Sequence, residues 1–249
     1  MIGRKFLAFT AFLALAAGSY GADSASLTVA AAANVRPALD EIRSAFERRS
    51  GIRVTASYGA SGILARQIEQ GAPFDLFLSA DSGFVDRLER ERLVAVGKRA
   101  VYAEGTLVVV TASGGPACRG VSDLEAPAFR RIAIAKPEIA PYGRAAVEAL
   151  TRAGAIDGVR PRLVFAESVR DALRYVEAGD AEAGFVADSE ARQTALPRFE
   201  VPRTLYAPIR QEAAVLAGSA HAKEAAAFFG FLRGAEAREI WTRHGYRLP

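Results

Sequence analysis

The sequence predicts an α/β protein of two lobes, each a central, mostly parallel sheet flanked by helices, with a ligand cleft between them. Short apolar strands alternate with amphipathic helical stretches in two separate blocks, which implies parallel sheets with helices on their faces. The rhythm pauses once, across YAEGTLVVVT at 102–111. The length of 249 residues suits two lobes of roughly 100 residues each, and an apolar content of 51% is enough for real cores.

The first block opens with LTVAAAA at 27–33, a short apolar strand. Asn34 is a good N-cap, Pro37 suits a first helical turn, and Ala38, Leu39, Ile42, Ala45 and Phe46 recur on one helix face until Gly51. A strand over 54–58 leads into the turn Gly59-Ala-Ser61-Gly62. A helix with Ile63, Leu64 and Ile68 inward follows, then a Gly71-Ala-Pro73 break and a strand over 74–78. Asp81 or Ser82 caps a charged helix running to about Arg92.

The run 107–110 is a continuous apolar strand, so the chain is expected to cross between lobes near Glu104. The second block follows with a strand over 131–135, a loop ending at Pro141, and a helix opened by Tyr142-Gly143 with Ala146, Ala149 and Leu150 inward. Next come a strand over 163–165 and a helix begun by Ser168, with Asp171 three residues on as a short capping box; Val169, Ala172, Leu173 and Val176 face inward until Gly179. A strand over 184–187 leads to a polar loop from Glu190 that holds Pro197 and Pro202. The strand over 209–217 can pair with that at 107–110, which puts the return crossing near Leu205. Two helices broken at Gly234 are assigned to the first lobe. The resulting division is a secretory signal at 1–22, a first lobe from 23–104 and 206–249, and a second lobe from 105–205.

The signal is read from Arg4 and Lys5, an apolar run over 6–18, and small residues Ser19 and Gly21 before Ala22. Such a run is too short for a comfortable membrane span, so a soluble, exported, periplasmic protein is expected. Removing Arg4 and Lys5 from 32 basic residues leaves 30 against 28 acidic ones. Their interleaving, as at 86–92, points to solvated helix faces and away from nucleic acid. Cys118 is the only cysteine, so no internal disulfide can form. With just His221 and His244 beside it, no zinc constellation is available.

Four strand-to-helix turns stand out: Ala33-Asn34, Ala60-Ser61-Gly62, Pro141-Tyr142-Gly143 and Ser168-Val169. Two fall in each lobe, and ligands of open parallel sheets bind beyond the carboxyl ends of the strands, where such turns collect. Facing lobes would bring four helix starts into one cleft, offering N–H groups, a hydroxyl and an amide. Aimed dipoles of this kind can hold a small anion without a cationic side chain. A donor-only surface suits a fully ionised tetrahedral oxyanion. Ordinary helix capping is the other reading of each turn taken alone. Enzyme readings fare worse: Gly59-Ala-Ser61-Gly62-Ile63 lacks the second glycine of a nucleophile elbow, both histidines lie in the terminal helices, and no phosphate loop occurs.

Several segments resemble the periplasmic molybdate-binding proteins of ABC importers. They include TVAAAAN at 28–34, SGILARQI at 61–68, GAPFDLFLSAD at 71–81, LVVV at 107–110, PYG at 141–143, SVRDAL at 168–173 and GFV at 184–186. The resemblance implies the type II periplasmic-binding-protein fold, a monomer without cofactor or catalytic chemistry, and delivery of molybdate or tungstate to a membrane permease. It carries the ligand set onto the Ala33 backbone and Asn34, Ser61 with the Gly62 backbone, and the N–H groups of Tyr142 and Val169. Those groups would hold the oxyanion through hydrogen bonds, with no direct bond to the metal. Many members have Ser where this chain has Asn34, and a donor Tyr where it has Ala187, so Ala187 stays outside the expected site. A receptor for another oxyanion or small organic acid, a regulator's sensory domain, and an esterase are the alternatives.

Overall fold

The structure is a computed structural model that describes residues 26–249; the expected signal at 1–22 lies outside the described residues. In chain order the elements are β1 (Ser26–Ala32), α1 (Arg36–Ser50), β2 (Arg53–Gly59), α2 (Ser61–Glu69), β3 (Leu76–Ser79), α3 (Ser82–Arg90), β4 (Val94–Gly105) and β5 (Leu107–Thr111). Then come β6 (Ile132–Ala135), α4 (Pro141–Arg152), α5 (Ile156–Val159), β7 (Leu163–Ala166), α6 (Val169–Glu177), β8 (Ala183–Ala187) and α7 (Asp188–Ala191). The chain ends with β9 (Arg198–Glu200), β10 (Ile209–Leu216), α8 (Ala222–Phe231) and α9 (Ala235–Arg243).

Two five-stranded sheets result, in the orders β2-β1-β3-β10-β4 and β7-β6-β8-β5-β9. In each sheet four strands run one way and one, β10 in the first and β5 in the second, runs against them, so the α/β, two-lobed expectation holds. The parallel strands β1, β2, β6 and β7 lead at their carboxyl ends into the four turns, which meet between the sheets. In the first sheet, Leu27, Val29, Leu76 and Leu78 pack with Leu39, Ile42 and Phe46 of α1 and with Phe228 and Trp241 of the terminal helices. This is how the tail returns to the first lobe. Around the second sheet, Val109, Ile132, Ile134 and Phe185 pack with Ala146, Leu150, Leu173 and Val176.

Strand β10 does not pair with β5 as the sequence suggests. It lies antiparallel between β3 and β4 in the first sheet, while β5 pairs with β8 and β9 in the second. The extra partner is β4, a twelve-residue strand whose exposed run Val96, Gly97 and Lys98 hides its periodicity. Strand β9 is a short edge strand inside the polar stretch read as loop. Caps fall largely where expected: Asp81 accepts from the Gly83 N–H at 2.7 Å, and Ser168 from the Asp171 N–H at 3.2 Å.

Candidate functional site

The start of each of four helical turns is set by its own residues. A 3-10 turn, Ala33–Val35, follows β1 directly. Helix α2 begins at Ser61 behind Ala60, whose carbonyl accepts from the N–H groups of Ile63 and Leu64. Helix α4 begins at Pro141, which has no N–H to lose. It sits so close to the end of β6 that a Cβ on Gly143 would stand 2.0 Å from the Ala135 carbonyl oxygen, which requires glycine there. Helix α6 follows the Ser168 cap, which uses the Asp171 N–H and leaves the N–H groups of Val169 and Arg170 without intrahelical partners.

These starts converge on one narrow cavity with about 10 Å³ of free volume, lined by Ala33, Asn34, Ser61 and Ala80 from the first lobe and by Ala140, Tyr142 and Val169 from the second, among others. No charged side chain lines it. Five of the six expected site residues are thus brought together; Gly62 is not among the lining residues. Its N–H donates across the cleft to the Ile139 carbonyl at 2.9 Å, so in this conformation it serves lobe contact and has no hydrogen left for a ligand.

Ser61 is buried, and its Oγ accepts the Ala80 N–H at 3.0 Å. With that lone pair occupied, the hydroxyl hydrogen is turned away from Ala80 and is available to an acceptor in the cavity. Ser61 does not cap its own helix. Asn34 differs from expectation in two ways. It is not the N-cap of α1, which starts at Arg36 without a side-chain cap. Its Nδ2 donates to Gln211 Oε1 at 2.9 Å and to the Tyr246 hydroxyl at 2.8 Å, which commits both amide hydrogens. Asn34 therefore has only its backbone N–H to present to an anion. No signal near Asn34 in the sequence shows this, because its partners lie 177 and 212 residues away.

Tyr142 offers its N–H to the cavity while its ring runs toward the crossing between lobes, where a Cβ on Gly105 would stand 2.0 Å from the phenolic oxygen. That hydroxyl is buried without a partner, and burial pushes its pKa well above the ordinary value, so it stays neutral. At the mouth, Arg144 on α4 pairs with Asp81 ahead of α3, beside a groove of about 310 Å³. Neither histidine faces Ser61: His221 Nδ1 lies 3.3 Å from Asp75 and His244 Nε2 3.0 Å from Glu41. Among the described residues no cluster of His, Cys, Asp and Glu could hold a metal ion, and no helix is long and apolar enough to cross a membrane.

The arrangement is a closed, uncharged, donor-lined chamber between two lobes, and comparison with known proteins leads to the same kind of molecule. The chain is 37% identical over 242 residues to the molybdate-binding protein ModA of Azotobacter vinelandii, covering 95% of this chain and 96% of that one. It is 35% identical to ModA of Rhodobacter capsulatus over 245 residues, 98% of this chain and 95% of the relative. The solved periplasmic molybdate-binding protein of A. vinelandii superposes with a TM-score of 0.83 at 33% identity, covering 90% of this chain and 99% of that one. A family model described as bacterial extracellular solute-binding protein matches residues 27–247. With the match running through both sheets and all four turns, the chain belongs to the bacterial extracellular solute-binding protein family.

Proposed function

We propose that the protein captures molybdate, and tungstate with it, outside the cytoplasm and hands it to the membrane permease of an ABC importer. One observation carries the reading: four helix starts, two from each lobe, surround a single chamber that has N–H and hydroxyl donors and no cation. The donors in this reading are the N–H groups of Ala33, Asn34, Ser61, Tyr142 and Val169 and the Ser61 hydroxyl, all toward ligand oxygens. Each charge-assisted hydrogen bond of this kind contributes about 1.5–3 kcal/mol. Several together, with the helix-end partial charges, offset the loss of hydration of a dianion.

The donor set also supports selectivity. A ligand that keeps a proton near neutral pH, such as phosphate, needs an acceptor, and the Asn34 carbonyl already accepts from Ser189 and Tyr246. Sulfate is fully ionised but smaller, and spans the gap between opposed helix starts less well. The function is binding and release, with the first lobe at 23–104 and 206–249, the second at 105–205, and a monomer as the working unit. The relatives named for molybdate binding support the choice of ligand.

Calorimetric titration of the purified mature protein with molybdate, tungstate, sulfate and phosphate tests the reading. Tight binding of molybdate and tungstate with weak or no response to the other two is the expected result. A clear response to sulfate with none to molybdate overturns it.

A further inference from the structure

The hydrogen bonds around Asn34 close into a ring that anion binding does not use. Asn34 Nδ2 donates to the Tyr246 hydroxyl at 2.8 Å, and the Asn34 carbonyl accepts from both the Tyr246 hydroxyl and the Ser189 hydroxyl, each at 2.8 Å. Tyr246 Oη also lies 3.1 Å from Ser189 Oγ, and the second Asn34 amide hydrogen goes to Gln211. The single Ser189 hydrogen goes to the carbonyl at 2.8 Å, the nearer of its two acceptors, with the Tyr246 hydroxyl oxygen at 3.1 Å. All four residues are buried. Asn34, Gln211 on β10 and Tyr246 beside Trp241 belong with the first sheet. Ser189 alone comes from the second lobe, on α7 directly after β8.

We propose that Ser189 is a positioning residue of the anion site: closure of the lobes delivers its hydroxyl to the Asn34 carbonyl as a second donor beside Tyr246, and so holds the Ala33–Asn34 turn with its N–H groups toward the anion. The inference rests on the anion reading of the chamber. Within one lobe, Tyr246 and Gln211 fix the Asn34 side chain whether or not the cleft is closed. The link from Ser189 exists only when the lobes meet, so its contribution falls on the closed, loaded state. In the open state water replaces Ser189 at the carbonyl, and the turn loses its anchor to the far lobe.

The test is Ser189→Ala in the full mature protein, with molybdate as the probe, read by calorimetry, stopped-flow kinetics and ligand-free melting. Expected are binding about tenfold weaker, as for the loss of one buried hydrogen bond, with the change in the dissociation rate, an unaltered association rate and an unaltered ligand-free Tm. Ser189→Thr, which keeps the hydroxyl, restores slow dissociation. Tyr246→Phe breaks the ring inside the first lobe and, by contrast, lowers the ligand-free Tm as well. Wild-type affinity in Ser189→Ala, or a ligand-free Tm that falls along with the affinity, overturns the inference while leaving the anion site standing. A wild-type protein that binds none of the four oxyanions overturns the anion reading and this inference together.

Discussion

Replacing Gly62 with alanine should strengthen the ligand-free protein and weaken the loaded one. Gly62 is the second residue of α2 and its N–H reaches across the cleft to Ile139. A Cβ placed there meets the Ile139 Cα and carbonyl oxygen at 3.0 Å and Phe84 Cζ at 3.1 Å. Phe84 can swing aside, but the Ile139 atoms are backbone of the opposite lobe. Carbon atoms pack at roughly 3.5–4.0 Å, so the lobes must separate by about half an ångström at this point, or α2 must tilt. Overpacking of this size costs about 1–3 kcal/mol, and the cost exists only in the closed state. The affinity for molybdate should therefore fall by roughly 5- to 150-fold. In the open state the same change removes a helical glycine, worth about 0.5–1 kcal/mol of added stability. Calorimetry and ligand-free thermal melting read the two effects separately. An affinity equal to wild type, or a ligand-free Tm that drops in parallel with affinity, would refute the reasoning.

Ser61→Ala should weaken molybdate binding by about 1–3 kcal/mol, because a desolvated ligand oxygen loses its donor; an unchanged Kd by titration removes Ser61 from the site. Glu190 should make stability fall as pH rises. Burial pushes its carboxyl up to about 7 despite Arg170 at 3.1 Å, and its other oxygen has no partner. The unfolded chain has the ordinary value near 4.3, so the folded state binds more protons between the two. The contribution is whole below about pH 4 and is lost progressively up to about pH 7. Glu190→Gln should accordingly flatten the decline of Tm between pH 5 and 7, and an unchanged slope would count against this account of Glu190.

The frame of the molecule can be read from the sequence because it depends on local chemistry. Apolar runs such as 27–33 and 107–110, stops such as Gly51 and Gly179, and caps such as Asp81 and Ser168 each act within a few residues of themselves. The four turns belong to the same class, so the sequence alone marks them. Pairing is different. β10 lies beside β4 through contacts about a hundred residues apart in sequence, and the exposed run Val96, Gly97 and Lys98 on β4 masks its alternation. Donor availability is the least legible property of all. Asn34 and Gly62 both sit at helix starts, yet Asn34 loses its amide hydrogens to Gln211 and Tyr246, and Gly62 its N–H to Ile139. Residue type and turn geometry predict which groups can donate; only the packed lobes decide which still have a hydrogen to give.

In the proposed function one oxyanion sits among four helix starts, held by backbone N–H groups and the Ser61 hydroxyl. Anomalous diffraction from crystals of the molybdate-loaded protein, collected at the molybdenum absorption edge, tests it most directly. A single peak is expected between Ser61 on one lobe and Tyr142 and Val169 on the other, with the Asn34 amide still bonded to Gln211 and Tyr246 and making no contact with the anion. A peak in the groove beside Asp81 and Arg144, or an anion ligated by the Asn34 side chain, would contradict it.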